Sequence, residues 1–458
     1  MVGALVVAGL LVACTDAPPE RAIPETTVGP HGGGNPPETV DPGSGTVRID
    51  LAAEHQTMDG FGVSARVWSD HHLIGEAGAT VPDEARSEIL GLLFEDLGLT
   101  RLRSVLGPGM EPANDNDDPA VTDAAGFRFD GQLADEHIEL VRAAEPFGLT
   151  TFFAAPVVLE PWMQADDTAE YVEWAMTLLR HWRSAGAEPP FFSPVNEPAL
   201  RAERSAVWLR DVVRDLGRQL EAEGFATRLV IPDDLNPSES YNRAAVVLDD
   251  PEARRYVGAL AFHIYGDATG SRLAELASTY DVPLWMTEFS PGGDSWRAAL
   301  QWAGTMQQLI TGSDVSAIDY MWGFFGSQER NTLIGVESAD GRYSGFEVRP
   351  VYDAVGQFSR FIRPGAVRVS ATSADAVRVS AFRGPDDQVV VVFVSTAHQP
   401  QVLNVEVSGG ELGGSVSVTS SSAGVSGAAG PPIEATTEGF TITLPAESVT
   451  TAVVQRGG

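Results

Sequence analysis

Eight short apolar runs, each followed by a stretch of helical period, occupy the chain from residue 58 to about residue 357. The strand candidates are Met58–Ala65, Thr100–Leu106, Thr150–Ala155, Phe191–Asn196, Thr227–Ile231, Val257–Tyr265, Pro283–Phe289 and Ala317–Gly323. Eight strand–helix units over about 300 residues have the repeat number and size of a closed (β/α)8 barrel, also called a TIM barrel. A doubly wound sheet usually has fewer strands and often a G-x-G-x-x-G turn, which this sequence lacks. We therefore predict an α/β barrel over residues 57–363.

The remainder of the folded chain is predicted to be all-β. After Pro364 the sequence consists of short β-branched runs separated by Gly, Ser and Pro, which is typical of a β-sandwich over residues 364–458. One further strand precedes the barrel, in the segment 46–56. Because this strand is not needed to complete eight barrel units, we expect it to join the C-terminal sheet.

The N-terminus is typical of a signal segment that ends at a lipidation site. Residues 2–13 are apolar or small, and they lead directly to Cys14, the only cysteine of the chain. The run is too short to span a bilayer as a stable helix. We predict a lipoprotein signal over residues 1–14, a disordered Pro- and Gly-rich tether over 15–45, and an extracellular or cell-surface protein anchored through Cys14. The first basic residue is Arg21, so we expect the natural start to lie upstream; the alternative is a chance cysteine in an apolar tail.

Charge and composition exclude several classes of function. The chain of 458 residues has 63 acidic and 30 basic residues and a formal charge of −33, which disfavours nucleic acid and anionic lipid as partners. All of its basic residues except histidine are arginines. Without lysine there can be no Walker A loop and no Schiff-base nucleophile. Neither H-E-x-x-H nor G-x-S-x-G occurs, so zinc protease and serine hydrolase chemistry lack support. We expect no cofactor and a monomer.

Two glutamates lie at the carboxyl ends of predicted barrel strands, where the active sites of such barrels are built. Glu197 follows Asn196 at the end of the fourth strand, and Glu288 precedes Phe289 at the end of the seventh. Two carboxylates that face one cleft about 5–5.5 Å apart are the machinery of a retaining glycosidase. The alternative is a pair of salt-bridged rim acids.

Several motifs in the same order resemble glycoside hydrolase family 30, a retaining family of clan A. They are Met58-Asp59-Gly60-Phe61-Gly62, Asn196-Glu197, His263-Ile264-Tyr265, Glu288 and the junction Phe358–Gly365. The resemblance covers residues 46–458. It implies a barrel with a side β-sandwich that includes the N-terminal strand. It also implies Glu197 as acid/base and Glu288 as nucleophile.

The neighbours of the two glutamates are assigned by chemistry and by this resemblance. Glu197 must carry a proton at the working pH, and Glu288 must stay ionised, with Arg103 and Tyr265 as donors to it. Asn196 is placed to hydrogen-bond the sugar 2-hydroxyl. Arg101 lies on the same strand face as Arg103, so strand period cannot separate them, and the family favours Arg103. The sequence equally allows His263 to be a substrate contact or a core histidine.

Aromatic residues after the strands are candidate sugar platforms. Trp68, Trp162 and Trp322 follow strands 1, 3 and 8, and indole rings stack well on sugar faces; the alternative is core packing. Glu160, in the loop that carries Trp162, is expected to be a solvated charge. The oxygen-rich stretch 114–118 lacks the spacing of an EF-hand, so we expect an active-site loop or solvated turn; a metal site is the alternative.

The resulting expectation is a retaining hydrolase of β-linked polysaccharide, with xylan or glucuronoxylan favoured. In the xylanase branch a cationic residue near strands 7 and 8 holds a uronate group, and Arg330 is a candidate by position. The open alternatives are β-1,6-glucanase, β-1,6-galactanase or glucosylceramidase-like activity, and a non-catalytic carbohydrate-binding lipoprotein on the same scaffold.

Overall fold

The computed structural model describes residues 43–70, 73, 80–131, 133–163, 167–201, 204–266, 270–289 and 291–457. The predicted signal segment, Cys14 and the tether up to residue 42 lie outside these residues. Within the described ranges, no helix combines the length and the hydropathy required to cross a membrane.

Eight parallel strands close into a barrel, which confirms the predicted fold class. After a first long strand, β1 (Gly43–Thr57), the barrel strands are β2 (Gly60–Ala65), β3 (Arg101–Leu106), β4 (Thr151–Pro156), β5 (Phe191–Phe192), β6 (Arg228–Asp234), β7 (Val257–His263), β8 (Leu284–Glu288) and β9 (Ala317–Tyr320). The barrel closes where β9 pairs with β2, with Ala317 opposite Gly60.

Helices follow the strands and form the outer layer of the barrel. They are α1 (Asp83–Leu90, continued by a π-helical turn over Gly91–Asp96), α2 (Asp135–Ala144), α3 (Thr168–Ser184), α4 (Ala206–Ala222), α5 (Pro237–Asp249), α6 (Pro251–Arg254), α7 (Ser271–Tyr280), α8 (Trp296–Gly312) and α9 (Pro350–Ser359). Short 3₁₀ turns occupy Ala124–Gly126, Glu145–Phe147 and Pro198–Leu200. Leu, Val, Ile, Ala and aromatic side chains from both layers form one continuous core between helices and strands.

Two barrel strands end at positions that differ from the sequence-based prediction. β5 stops at Phe192 rather than at residue 196, because Pro194 has no N–H to donate to a strand ladder. β6 runs on to Asp234 rather than ending at Ile231, since Pro232 keeps its place opposite Ala261 of β7. The extension of β6 carries two aspartates to the rim of the barrel.

Nine C-terminal strands and β1 form a ten-stranded sheet around a second apolar core. The nine C-terminal strands are β13 (Val367–Ala371), β14 (Val377–Arg383), β15 (Gln388–Ser395), β16 (Gln401–Ser408), β17 (Leu412–Ser422), β18 (Val425–Ala429), β19 (Ile433–Glu434), β20 (Gly439–Leu444) and β21 (Ser448–Arg456). A separate small sheet, β10 (Phe324–Gly326), β11 (Ile334–Ala339) and β12 (Arg342–Val348), follows the last barrel strand.

Strand β1 lies in the interior of the C-terminal sheet. It pairs antiparallel with β13 and parallel with β16, and Val47, Ile49 and Leu51 are buried in the second core. β1 begins at Gly43 and so includes the last three residues of the predicted tether, because residues 43–45 already pair with residues 401–403 of β16. The chain therefore passes through the sandwich first, in β1, then forms the barrel, and finally returns to the sandwich at β13.

Polar contacts attach the sandwich to the last two barrel helices. Gln357 of α9 donates to the Ser421 hydroxyl at 2.8 Å and accepts from Thr451 at 2.9 Å, and Ser380 donates to Gln307 of α8 at 3.0 Å. These side chains are buried, so each lost bond would leave an unsatisfied polar atom. The interface fixes the orientation of the sandwich relative to the barrel.

Candidate active site

A buried ion pair forms the floor of the site. Arg101 donates to both carboxylate oxygens of Asp319, at 3.0 and 3.2 Å, and its guanidinium lies 4.0 Å from the ring centre of Trp285. A Cβ at Gly62 would lie 2.2 Å from an Asp319 oxygen, so only glycine fits there. The Gly60-Phe61-Gly62 motif thus gives Arg101 and Asp319 the space they need, and Arg101 has a structural role.

Arg103 occupies the next inward-facing position of β3, closer to the rim. It is fully buried, and it donates to Glu288 at 2.7 Å, to Asp233 at 2.9 Å and to the amide oxygen of Asn196. Burial alone would lower the pKa of Arg103, but the charges of Asp233 and Glu288 hold it above its usual value. Of the two arginines that strand period could not separate, Arg103 is the one that contacts the candidate nucleophile.

Glu288 ends β8 with both carboxylate oxygens engaged. Oε2 accepts from Arg103, and Oε1 accepts from the Tyr265 hydroxyl at 3.0 Å. The side chain is 7% exposed, so the cleft reaches it while most of its surface is covered. Two donors hold the carboxylate in one orientation. Arg103 and Tyr265 are the two donors that the sequence analysis predicted for Glu288.

Glu197 follows the short strand β5 in a left-handed turn. Its φ is 49° and ψ is 55°, a conformation that is uncommon for a non-glycine residue and that clusters at functional sites. Its backbone N–H donates to the Asp233 carbonyl at 2.9 Å, which holds the turn. The side chain then points inward, with Oε1 at 3.0 Å from Nδ1 of His263.

The two glutamates are close together. One carboxylate oxygen of Glu197 and one of Glu288 lie within 4.8 Å of each other. An inverting glycosidase holds its carboxylates about 6.5–9.5 Å apart to admit a water, whereas a retaining one needs only about 5–5.5 Å. The observed proximity therefore suits attack by one carboxylate on the sugar and is shorter than the spacing of an inverting pair.

Asp233, at the end of β6, organises the site, and the sequence analysis missed it. It accepts from Arg103, from the Thr287 hydroxyl at 2.5 Å and from Nε2 of His263 at 3.4 Å. Burial alone would raise its pKa, but Arg103, His263 and Thr287 hold the pKa of Asp233 well below the usual range. A permanent buried anion thus lies beneath the two glutamates.

His263 is cationic in this environment. Burial alone would lower its pKa, but the charge of Glu288 and hydrogen bonds to Asp233 and Glu197 raise the pKa of His263 to about 10. At neutral pH both ring nitrogens carry protons, so both donate. The sequence allowed a substrate contact or a core histidine; His263 is fully buried and holds Glu197 in place, and a contact with the substrate stays a prediction.

The same protonation argues against a metal at this place. Glu197, His263 and Glu288 bring potential ligand atoms within 4.8 Å of one another. A metal requires the lone pair of a neutral imidazole, and His263 holds a proton on each nitrogen. Arg103 adds a second cation against Glu288. Positive charge from Arg103 and His263 therefore already lies against the two glutamates.

A signal for Asp233 was present in the sequence. Asp233 and Asp234 come at the end of an apolar strand, as Glu197 and Glu288 do. The search for acids at strand ends missed them because the predicted strand stopped at Ile231. Thr287 offered no such signal, because a threonine inside a strand is ordinary.

The three candidate tryptophans differ in their surroundings. Trp68 is 7% exposed and stacks on Phe324 with ring centres 4.1 Å apart. Trp322 is 8% exposed and stacks on Phe325 at 5.0 Å; it follows Met321, whose sulfur lies 3.5 Å from the Tyr265 hydroxyl oxygen. Trp162 is partly exposed, and its N–H donates to the Glu111 carbonyl at 2.6 Å. Burial does not separate Trp68 from Trp322, so all three tryptophans remain predicted sugar contacts.

The expectation of a solvated Glu160 is wrong. Its side chain is 2% exposed, and its carboxylate accepts the backbone N–H groups of Gly109 at 2.8 Å and Glu111 at 3.0 Å. Glu160 is buried because the loop after β3 folds over the loop after β4, a tertiary contact. Glu160 thus joins the two loops that flank this side of the cleft.

Comparisons with known proteins agree with this geometry. The description "Glycosyl hydrolase family 30 TIM-barrel domain" matches residues 176–362, and "Glycosyl hydrolase family 30 beta sandwich domain" matches residues 365–452. The chain is 28% identical to glucuronoxylanase XynC of Bacillus subtilis over 306 residues, 64% of this chain and 68% of the relative. It is 25% identical to putative glucosylceramidase 2 of Caenorhabditis elegans over 411 residues, 75% of each chain. The catalytic domain of xylanase C from Talaromyces cellulolyticus has a similar fold, with a TM-score of 0.76, 21% identity, and coverage of 90% of this chain and 100% of that domain.

Proposed function

Because the chain belongs to glycoside hydrolase family 30, which makes it a glycosidase, we propose that it cleaves the β-linked backbone of xylan or glucuronoxylan with retention of configuration. The observation that carries the mechanism is the Glu197–Glu288 pair, with carboxylate oxygens within 4.8 Å and Glu288 held by Arg103 and Tyr265.

The reaction proceeds in two displacements. A Glu288 oxygen attacks the anomeric carbon while the glycosidic C–O bond breaks, and the Glu197 carboxyl gives its proton to the departing oxygen. Water then attacks the same carbon, its proton passes to Glu197, and the ester bond to Glu288 breaks. Asn196 donates from its NH₂ group to the sugar 2-hydroxyl, because its oxygen already accepts from Arg103.

The choice of xylan rests on the glucuronoxylanase relative and on one exposed cation. Arg330, in the segment after β10, has a side chain that is 69% exposed and lies 3.6 Å from Asp294. Such an arginine can form a bidentate pair with a uronate. A second candidate, cleavage of a β-glucosyl lipid, is favoured by the glucosylceramidase relative, whose match covers more of this chain.

We expect soluble products from glucuronoxylan, and proton NMR of the first products should show the β-anomer, with α appearing only by mutarotation. The carboxylates are too close together for an inverting water. The same assay is run on unsubstituted xylan, pustulan, β-1,6-galactan and a β-glucosyl lipid. If the first product were the α-anomer, the retaining mechanism would be wrong. If sugar were released only from the lipid or from a β-1,6-glycan, that compound would be the substrate instead of xylan.

We also propose that the protein is held at the cell surface by lipid on Cys14, beyond the described residues. An apolar run that ends in Leu11-Val12-Ala13-Cys14 supports this, as does a substrate too large to enter a cell. Wild type should incorporate an alkyne fatty acid in a bacterial host and pellet with membranes. Cys14→Ala should lose both properties, while Thr15→Ala keeps them. An unlabelled wild type would refute the anchor.

A further inference from the structure

Acidic side chains converge where the loop after β3 meets the start of helix α3, away from the two catalytic glutamates. Glu111 and Asp115 come from the loop, and Glu170 and Glu173 lie three residues apart on one face of α3. Asn114 lies beside Glu170, and Glu170 beside Glu173. We call these five residues the loop–helix cluster.

Each member of the loop–helix cluster has a side-chain oxygen with no hydrogen-bond partner among the described residues. The atoms are Glu111 Oε2, Asn114 Oδ1, Asp115 Oδ1, Glu170 Oε2 and Glu173 Oε1. The glutamates are hidden from solvent, with exposures of 0% for Glu111, 5% for Glu170 and 4% for Glu173. A shielded carboxylate oxygen without a partner is strongly destabilising, so the charge of these acids has to be neutralised, either by protons or by a cation.

The described part of the protein supplies only neutral partners and no cation: Asn114 bonds to Glu170, and Thr122 bonds to Glu173. None of its arginines forms an ion pair with these four carboxylates, and Arg180, further along α3, pairs with Glu223 instead. The dipole of α3 favours an anion in its first turn, which accounts for Glu170 but not for the two loop acids. All five unpaired atoms are oxygens, the donors that hard divalent cations prefer.

We propose that the loop–helix cluster binds a calcium ion, which joins the loop after β3 to helix α3. Calcium accepts 6–8 oxygen ligands in flexible geometry, so five side-chain oxygens completed by water suit it better than magnesium, which requires a near-ideal octahedron. No three of these described carboxylates bring oxygens within 4.8 Å of one another. Rotation of the side chains therefore accompanies binding.

The loop that this ion would hold also borders the cleft. Glu111 accepts from the indole N–H of Trp162, a predicted sugar contact, through its backbone carbonyl at 2.6 Å. Its backbone N–H donates to Glu160. A cation on the Glu111 side chain would therefore fix the loop against which Trp162 is positioned.

The test uses the full chain after treatment with EDTA and dialysis. Titration with Ca²⁺ in a calorimeter should give one site per chain, with weaker binding of Mg²⁺. Calcium at about 100 times its Kd should raise the melting temperature by roughly 3–5 °C. Absence of calcium binding by the wild type would overturn the proposal, and equal or tighter binding of Mg²⁺ would overturn the choice of ion.

Substitutions decide whether the ion sits in this cluster. The double variant Glu170→Gln, Glu173→Gln should lose at least about 100-fold in calcium affinity and the melting response, since two ligand charges are gone. In EDTA it should melt at or above the wild-type temperature, because two unpaired buried charges are removed. Asp117→Asn, on an exposed acid of the same loop, should bind calcium as the wild type does. Full calcium affinity in the double variant would place the ion elsewhere and overturn the proposal.

Discussion

Replacing Glu288 with glutamine should lower turnover of every accepted glycan by about 10⁴-fold or more, the order of loss seen when a covalent catalyst loses its nucleophile. The amide oxygen is too poor a nucleophile to form the glycosyl ester. Turnover is measured on the glycan that the wild type cleaves fastest, with folding followed by circular dichroism and melting temperature.

The variant should fold normally, because its new amide can satisfy both neighbours. Its oxygen can accept from Arg103 and its NH₂ can donate to the Tyr265 hydroxyl, while Arg103 keeps Asp233 and Asn196 as acceptors. A matched control is Glu221→Gln, an exposed glutamate that also pairs with an arginine, Arg255, on the barrel exterior. It should retain full turnover. A Glu288→Gln enzyme that worked near the wild-type rate would show that the nucleophile is another residue.

The barrel could be predicted because its signal is local. Apolar strands and helical periods repeat along the chain, and each unit is recognisable within about 40 residues. The two glutamates follow from the same reading, since the end of a barrel strand is where reactive groups face one cleft. Both the fold class and the family were therefore within reach of the sequence.

The two-residue period of a β-strand could not distinguish the role of Arg101 from that of Arg103. Both side chains point into the barrel, and only depth distinguishes them: Arg101 meets Asp319 at the floor, and Arg103 meets Glu288 near the rim. Depth depends on the stagger of the strands, which one strand's sequence does not reveal. The family resemblance supplied that choice instead.

Asp233 and Glu160 were missed for two different reasons. Asp233 lies beyond a proline that appeared to end its strand, so a boundary error of three residues removed it from the rim. Glu160 is buried by a loop that lies more than 40 residues earlier in the chain. Its carboxylate accepts hydrogen bonds from backbone N–H groups of that loop. No local pattern encodes such a contact, and the same holds for the loop–helix cluster, which joins residues 111–115 to residues 170–173.

The second large effect is expected for Glu197→Ala, and its size should depend on the leaving group. A natural glycan needs protonation of its departing oxygen, so its cleavage should fall by about 10²–10⁴-fold, the range that general acid catalysis contributes. A dinitrophenyl glycoside of the same sugar leaves without a proton, and its first step should be nearly unimpaired. Turnover then stalls at the glycosyl ester on Glu288, which stopped-flow measurement detects as a burst of released phenolate.

Azide should restore turnover of that substrate. The Glu197→Ala variant has space where the carboxylate lay, and an anionic nucleophile attacks the anomeric carbon without a base, so the C–O bond to Glu288 breaks and a β-glycosyl azide forms. The turn that carries residue 197 should persist, since its backbone N–H still donates to the Asp233 carbonyl. A glutamate on the barrel exterior, Glu252→Ala, serves as control and should neither stall nor respond to azide. An α-glycosyl azide, or no rescue on a substrate that the wild type cleaves, would contradict the acid/base role of Glu197, because only attack on an ester from the face that Glu197 lines returns the β configuration.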